Sequence, residues 1–144
     1  MTEQPWHAAF PQPNPKTPVH SITPADLAAK LRAGEGTTHK LLVVDVRRTD
    51  FENAAIHSAV NAPAHSLYPT LRPGLLKMFS AFESVVFHCN SCSPGGRGDR
   101  CARWYQEAVD EAGLNDRTKA LVLQGGIKAW VAEYGDDEEV TLKL

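Results

Sequence analysis

The chain of 144 residues carries 15 Lys and Arg against 17 Asp and Glu, a formal net charge of -2, with 42% apolar and 22% charged residues. At about 150 residues per domain this is one globular domain, able to bury roughly 68–70% of its unfolded surface. The composition excludes collagen-like, coiled-coil and wholly disordered chains; no apolar run approaches the ~20 residues of a membrane span, and the charge balance offers no general attraction for nucleic acid or an anionic membrane.

Six of the ten prolines fall within the first 24 residues. This predicts an extended, loosely docked segment that Trp6 and Phe10 can pin to the domain. Met1-Thr2-Glu3-Gln4 is not basic and leads into no apolar core, so no secretory leader is expected. Thr23-Pro24-Ala25-Asp26 reads as an N-cap, a proline at the first helical position and an acid in the first turn, predicting a helix over Ala25–Ala33 that stops near Gly34. Leu41–Val44 is a short apolar run of the kind that forms a buried parallel strand, and Ala59–Asn61 is a weaker strand. Leu75–Phe82 reads as helical and Ser84–His88 as a second buried strand. A glycine-rich loop, Cys89–Gly98, leads to a helix over Arg100–Ala112 with Asp99 as its cap. Ala120–Leu123 is a third strand, Gly125-Gly126 a tight turn, Ile127–Tyr134 a last helix, and the acidic run Asp136–Glu139 a solvated tail.

Strands alternating with helices predict an α/β fold, a single domain with a mostly parallel central sheet flanked by helices on both faces. The organisation expected is a Pro-rich N-terminal extension over residues 1–20, the domain over 21–135 and an acidic tail over 136–144. Ligands of such sheets bind beyond the carboxyl ends of the strands, and Cys89 stands at such an end.

Cys89, Cys92 and Cys101 are the only cysteines, too few and too clustered for a secreted disulfide framework. They point to a reducing compartment, the cytoplasm with the nucleus also open, and to a reactive thiol. A cysteine directly after a buried strand is rigidly held. Gly95, Gly96 and Gly98 let the loop wrap with its amides inward, and the next helix adds a partial positive charge. Arg97 can offer forked donors to an oxyanion, and Arg100 can add a contact. These features favour thiolate over thiol, so one geometry serves both a nucleophile and an anion site. The catalytic candidates are therefore Cys89 and Arg97. The substrate-binding candidates are Asn90, Ser91, Cys92, Ser93, Gly95, Gly96, Gly98 and Arg100. Cys92 is also a candidate resolving thiol in a C-x-x-C pair. Cys101 reads as core, and Asp45, Arg47 and Trp130 as structural. His57 and His65 read as structural histidines. No metal site is expected, because His88 and Cys89 point apart on an extended backbone.

The sequence resembles the rhodanese homology domain over roughly residues 20–135. Asp45-Val46-Arg47 is similar to the family's Asp-x-Arg motif, and Phe51–Asn61 to a degraded G-H-I-P-G-A-x-N segment. Leu123–Trp130 is similar to its closing L-x-G-G-x-x-x-W motif. His88-Cys89 with the trailing Arg97 resembles the H-C-x5-R loop of M-phase inducer phosphatases and eukaryotic arsenate reductases. The spacing here is C-x7-R, two residues longer, with the insertion placed within Cys92–Gly95. Cys92-x4-Arg97 has the spacing of the sulfurtransferase branch, but Cys89 is the cysteine that abuts the strand.

The resemblance implies a cysteine-dependent enzyme acting on a small inorganic anion or a phosphorylated substrate, as an arsenate reductase or phosphatase. The alternatives are a thiosulfate sulfurtransferase working through a Cys89 persulfide and a non-catalytic binding module. No bound cofactor is implied. An external glutathione or other thiol, or a glutaredoxin-type reductant, is the co-substrate that arsenate reduction would need.

Overall fold

Residues 4–144 are described by the computed structural model of this chain. The apolar runs at 41–44, 84–88 and 120–123 and the weaker one at 59–61 form the strands expected of them, and a further strand, at 20–22, was not expected. Strand β1 is His20–Ile22, β2 Leu41–Asp45, β4 Val60–Asn61, β5 Ser84–His88 and β6 Lys119–Leu123, paired in the order β1-β6-β5-β2-β4 with every pairing parallel. Residues alternate between the faces of this sheet with the period of two that a strand imposes. On one face Val44, Val85 and Phe87 pack with Cys101, Tyr105 and Ala108 of α4 (Arg97–Glu111) and with Leu67 of α2 (Ala64–Thr70). On the other, Leu41, Val43 and Val86 meet Leu27 of α1 (Pro24–Arg32) and Trp130 of α5 (Gly126–Tyr134). The result is a parallel sheet covered on both sides.

Helix α1 begins as its sequence requires, with Thr23 Oγ1 accepting from the Asp26 amide at 3.1 Å and Pro24 in the first turn. Several segments depart from expectation. The helix expected over 75–82 is the single turn α3 (Leu76–Phe79), with Met78 65% exposed, and α2 forms upstream around Pro69 where no helix was expected. The helix after the cysteine loop starts at Arg97 rather than Arg100, so Asp99 lies in its first turn and Gly96 is the capping residue. The acidic segment is not a solvated tail. Its carboxylates do reach outward, with Arg32 paired to both Asp137 and Glu139. Beyond them, however, Val140 and Thr141 are buried, and β7 (Thr141–Lys143) pairs antiparallel with β3 (Ala54–Ile56). Trp130 Nε1 donates to Thr141 Oγ1 at 2.9 Å, which closes this end of the chain onto α5.

The N-terminal segment is docked rather than loose. Residues Trp6–Ala9 make one 3-10 turn, and Trp6 and Phe10 set their rings edge-on against Trp104 of α4 at 5.9 and 6.0 Å. Trp104 Nε1 donates to Pro11 O at 3.0 Å, and Arg103 Nη1 to Thr17 O at 2.7 Å.

The edge of the sheet is organised by one buried ion pair. Arg47 donates from Nε and Nη2 to both oxygens of Asp45 (3.0 and 2.7 Å), and from Nη2 to Ala54 O at 2.7 Å. Its Nη1 reaches the carbonyls of Asp50 and Glu52, both at 3.3 Å. Asn61 Nδ2 closes the turn after β2 by donating to Asp45 O and Arg47 O. Both charged side chains are withdrawn from water, so removing one strands the other. Replacing Arg47 by Ala is expected to cost about 3–5 kcal/mol in urea-induced unfolding, and Asp45→Ala a similar amount, whereas Arg48→Ala should change little.

Candidate active site

The site is built where β5 ends. Its last residue, His88, is fully buried, and burial holds its imidazole below the usual range and uncharged, so it lends no positive charge to the adjoining cysteine. Nδ1 of His88 lies 3.2 Å from Cys89 O. The next two carbonyls are held by the start of α5, the Ile127 amide donating to Cys89 O and the Lys128 amide to Asn90 O, each at 3.0 Å. Gly126 makes this approach feasible. Its φ is +59°, and a Cβ there would lie 2.6 Å from Asn90 O and 2.7 Å from Cys89 O. The Gly125-Gly126 pair thus does more than turn the chain: it seats the cysteine loop on a helix terminus.

Cys92 folds back beneath Cys89. Its backbone is in the left-handed region at φ 52°, a conformation that costs a non-glycine residue of order 1–3 kcal/mol. That turn places Cys92 Sγ 3.2 Å from the Cys89 amide, which donates to it, and 3.9 Å from Cys89 Sγ. Gly98 leaves the room this needs, since a Cβ there would lie 3.0 Å from Cys92 Sγ and 3.2 Å from His88 Cα.

These contacts decide the protonation of the pair. The Cys92 thiol donates to Cys89, the Gly98 and Cys92 amides donate as well, and the Arg97 guanidinium is close; together they outweigh burial and bring Cys89 down to about 5. Cys92 is held well above an ordinary thiol by the hydrogen bond to Cys89 and by burial, so it keeps the proton. Cys101, fully buried, is likewise pushed up and belongs to the core, as its position in the sequence implies.

Cys89 opens onto a pocket of about 450 Å³, whose loop side is made by Asn90, Ser91, Ser93, Gly95, Gly96 and Arg97. Not all of the expected cradle is available. The two extra residues let the loop close a turn on itself: the Gly96 amide donates to Ser93 O at 2.8 Å and the Gly95 amide to Asp99 Oδ2 at 3.0 Å. Those two glycines therefore line the pocket with their donors already engaged. Cys92 and Gly98 sit behind Cys89 instead of lining the pocket. Arg100, expected to contact the substrate, is turned away, with Nε on Gly95 O at 2.7 Å and Nη1 on Gln12 Oε1 at 2.5 Å.

Arg97 is on the pocket wall, but its guanidinium is forked onto a residue that sequence reasoning did not single out. Nη1 and Nη2 donate to the two oxygens of Asp50 at 2.8 and 2.6 Å, which holds the Asp50 carboxyl well below the usual carboxylate range. Each terminal nitrogen keeps a second N–H. Asp50 is carried by the loop that Arg47 grips, so the buried pair at the end of β2, next to β5, helps set the position of Arg97. Nothing local marks Asp50 as different from other loop acids; only the fold brings it 47 residues back along the chain to Arg97. Trp6, His7 and His65 also line the pocket, His65 in place of the structural role expected of it.

A parallel sheet with this cysteine loop after the central strand defines the class. The chain belongs to the rhodanese-like domain family, whose signature spans residues 23–133. It is 30% identical over 140 residues to the CDC25-like phosphatase YCH1 of Saccharomyces cerevisiae, covering 87% of this chain and 90% of that protein. Among solved structures it is similar to S. cerevisiae Ygr203w, described as a homolog of single-domain rhodanese and the Cdc25 phosphatase catalytic domain, with 30% identity, TM-score 0.72, and 85% and 86% of the two chains covered. It is also similar to the As-Sb reductase of Leishmania major, with 26% identity, TM-score 0.68, and 84% and 82% covered. Among the described residues, no helix is long and apolar enough to cross a membrane, and no group of three or more His, Cys, Asp or Glu is placed to hold a metal.

The charge state of the thiol pair is directly testable. The rate of Cys89 alkylation by iodoacetamide should rise with pH through a midpoint near pH 5 and be flat across neutrality. In Cys92→Ala the thiolate loses its main donor, so the midpoint should move up. An unchanged midpoint would assign the stabilisation to the Gly98 and Cys92 amides and Arg97.

Proposed function

We propose that this protein is a cysteine-dependent enzyme of the rhodanese family that acts on tetrahedral oxyanions, with phosphate monoester hydrolysis as the reading the site supports best. The observation that carries it is a cysteine thiolate, held at about 5, opening into a pocket of about 450 Å³. A nucleophile that is anionic at neutral pH needs no base to activate it. Cys89 Sγ attacks phosphorus, the S–P bond forms as the ester P–O bond breaks, and the leaving oxygen departs with the electron pair. Water then cleaves the thiophosphate and restores the thiolate. The remaining N–H groups of Arg97 and the N-terminus of α4 supply positive potential for the charge that develops. The relatives named as phosphatases support this direction.

A second reading, arsenate reduction, is favoured by one specific observation: a protonated thiol 3.9 Å from the nucleophile. In that reaction Cys89 displaces water from arsenate to give a thioarsenate. A second thiol then attacks Cys89 Sγ, the S–As electron pair passes to arsenic, and arsenic(V) leaves as arsenic(III) while a disulfide forms. Cys92, or an external thiol such as glutathione or a glutaredoxin-type reductant, supplies that second sulfur. The relative named as an As-Sb reductase supports this arm.

Parallel assays of the full-length protein with phenyl phosphate, with arsenate plus glutathione, and with thiosulfate plus cyanide separate these chemistries. Phosphate release is the expected result, reduced by about 10³-fold or more in Cys89→Ser. Arsenite production lost in the same variant would establish the second reading. Thiocyanate formation alone, or turnover that survives Cys89→Ser, would overturn the proposal.

A further inference from the structure

The two cysteines of the loop stand on different sides of one reacting sulfur. Cys89 lines the pocket, whereas Cys92 lies behind it, with its Sγ 3.9 Å from Cys89 Sγ and accepting from the Cys89 amide at 3.2 Å. Both cysteines are free, and a disulfide between them needs a closure of about 2 Å. Cys92 reaches this place through a left-handed backbone, φ 52°, and the missing side chain at Gly98 leaves the room its sulfur fills. Hydrolysis of a phosphate ester makes no use of a second thiol there.

From this geometry we infer that Cys89 and Cys92 are a dithiol–disulfide couple, and that the protein reduces low-molecular-weight organic disulfides, with Cys89 as the attacking sulfur and Cys92 as the resolving one. The inference shares its nucleophile with the oxyanion reading but not its substrate, so each stands or falls separately.

The reaction balances within the chain. Cys89 thiolate attacks one sulfur of a disulfide R–S–S–R, the S–S bond breaks, and RS⁻ leaves with the electron pair and takes the Cys92 proton. Cys92 sulfur then attacks Cys89 Sγ, and the second RS⁻ leaves. The substrate has gained two electrons, the chain has lost them as a Cys89–Cys92 disulfide, and an external thiol returns them by a further exchange. Displacement at sulfur is in line, so the resolving sulfur enters on the side away from the leaving one. The substrate half occupies the pocket, and Cys92 approaches from behind.

The pair also sets the order of events. Cys92 is held above an ordinary thiol first by its hydrogen bond to Cys89, then by burial and by the charges of Cys89 and Asp45. Once Cys89 is bonded to a substrate sulfur its charge is gone, and both of its contributions go with it. The Cys89 amide still donates to Cys92 Sγ, which favours the anion. Cys92 is therefore silent until a mixed disulfide exists, and becomes nucleophilic when one does. The walls set the size of the substrate. Cys89 borders a pocket of about 450 Å³, within the roughly 300–1,000 Å³ of small-ligand sites, and Trp6, His7 and His65 line the same space. A small disulfide enters it; one held in a folded protein does not reach the sulfur.

The test mixes reduced full-length protein, freed of other thiols, with glutathione disulfide at pH 6, where an ordinary thiol is only about 0.3% ionised. The reaction is quenched with N-ethylmaleimide and the chain digested with trypsin; the peptide of residues 78–97 holds Cys89 and Cys92 and excludes Cys101. That peptide should carry an internal disulfide and no glutathione, with both glutathione halves released. Cys92→Ser, whose hydroxyl still donates to the thiolate, should stop at the glutathione adduct on Cys89, and Cys89→Ser should not react. The native chain should react roughly eight-fold faster than the same chain unfolded in urea, since full ionisation outweighs the lower nucleophilicity of a less basic thiolate. A wild-type product that keeps its glutathione, or a native rate no faster than the unfolded one, overturns the inference, and these two readings decide it even where a variant fails to fold. Insulin should stay oxidised over the same period; its reduction overturns the assignment to small disulfides.

Discussion

How closely the end of β5 can approach the first turn of α5 governs the site. Two consecutive carbonyls, those of Cys89 and Asn90, receive the amides of Ile127 and Lys128, and a side chain on Gly126 would occupy the space they need. With the backbone held on that side, the loop folds the other way. Cys92 is driven beneath Cys89, and Gly98 is brought against both. The thiolate follows from this packing. A cysteine left only 4% exposed would ordinarily resist ionisation, and here three donors, the Cys92 thiol and the Gly98 and Cys92 amides, reverse the balance.

Charge is distributed across the site in a way the loop alone does not explain. The carboxylate of Asp45 holds Arg47, Arg47 holds the loop that bears Asp50, and Asp50 holds Arg97 beside the thiolate. Positive and negative groups thus alternate from the buried sheet edge to the pocket. An arginine already forked to a carboxylate is oriented before any ligand arrives, which lowers the entropic cost of using its remaining N–H groups. The same fork moderates the positive potential that a free guanidinium would project, leaving the thiol pair and the helix terminus as the principal electrostatic features.

Much of this architecture was legible in the residue order. The β-branched runs at 41–44 and 84–88, the Thr-Pro start of α1 and the cysteine directly after a buried strand each act over a few residues, and each appears where expected. The elements that were not legible depend on distant partners. Strand β3 has only three residues and forms because β7 returns beside it; Val140 and Thr141 look like the end of a charged tail until Trp130 is seen to need them. Helix α2, interrupted by proline, is sustained by Ala64 and Leu67 packing into the core rather than by its own propensity. In the site, Cys89 stood out by its local setting, whereas Asp50, Trp6 and His65 became visible only once loops far apart in sequence shared one pocket.

By itself, then, the sequence determined the class of fold and marked Cys89 as the candidate nucleophile, because strand periodicity, helix capping and a cysteine at a strand end are short-range properties. It also determined that the loop is two residues longer than the related pattern. Only the tertiary structure decided how that extra length is used: it closes a turn that engages the amides of Gly95 and Gly96, and it sends Arg100 to the N-terminal segment. Which groups face a reacting sulfur is a matter of contacts between segments remote along the chain, and such contacts are fixed by the packing of whole elements rather than by the residues on either side of the cysteine.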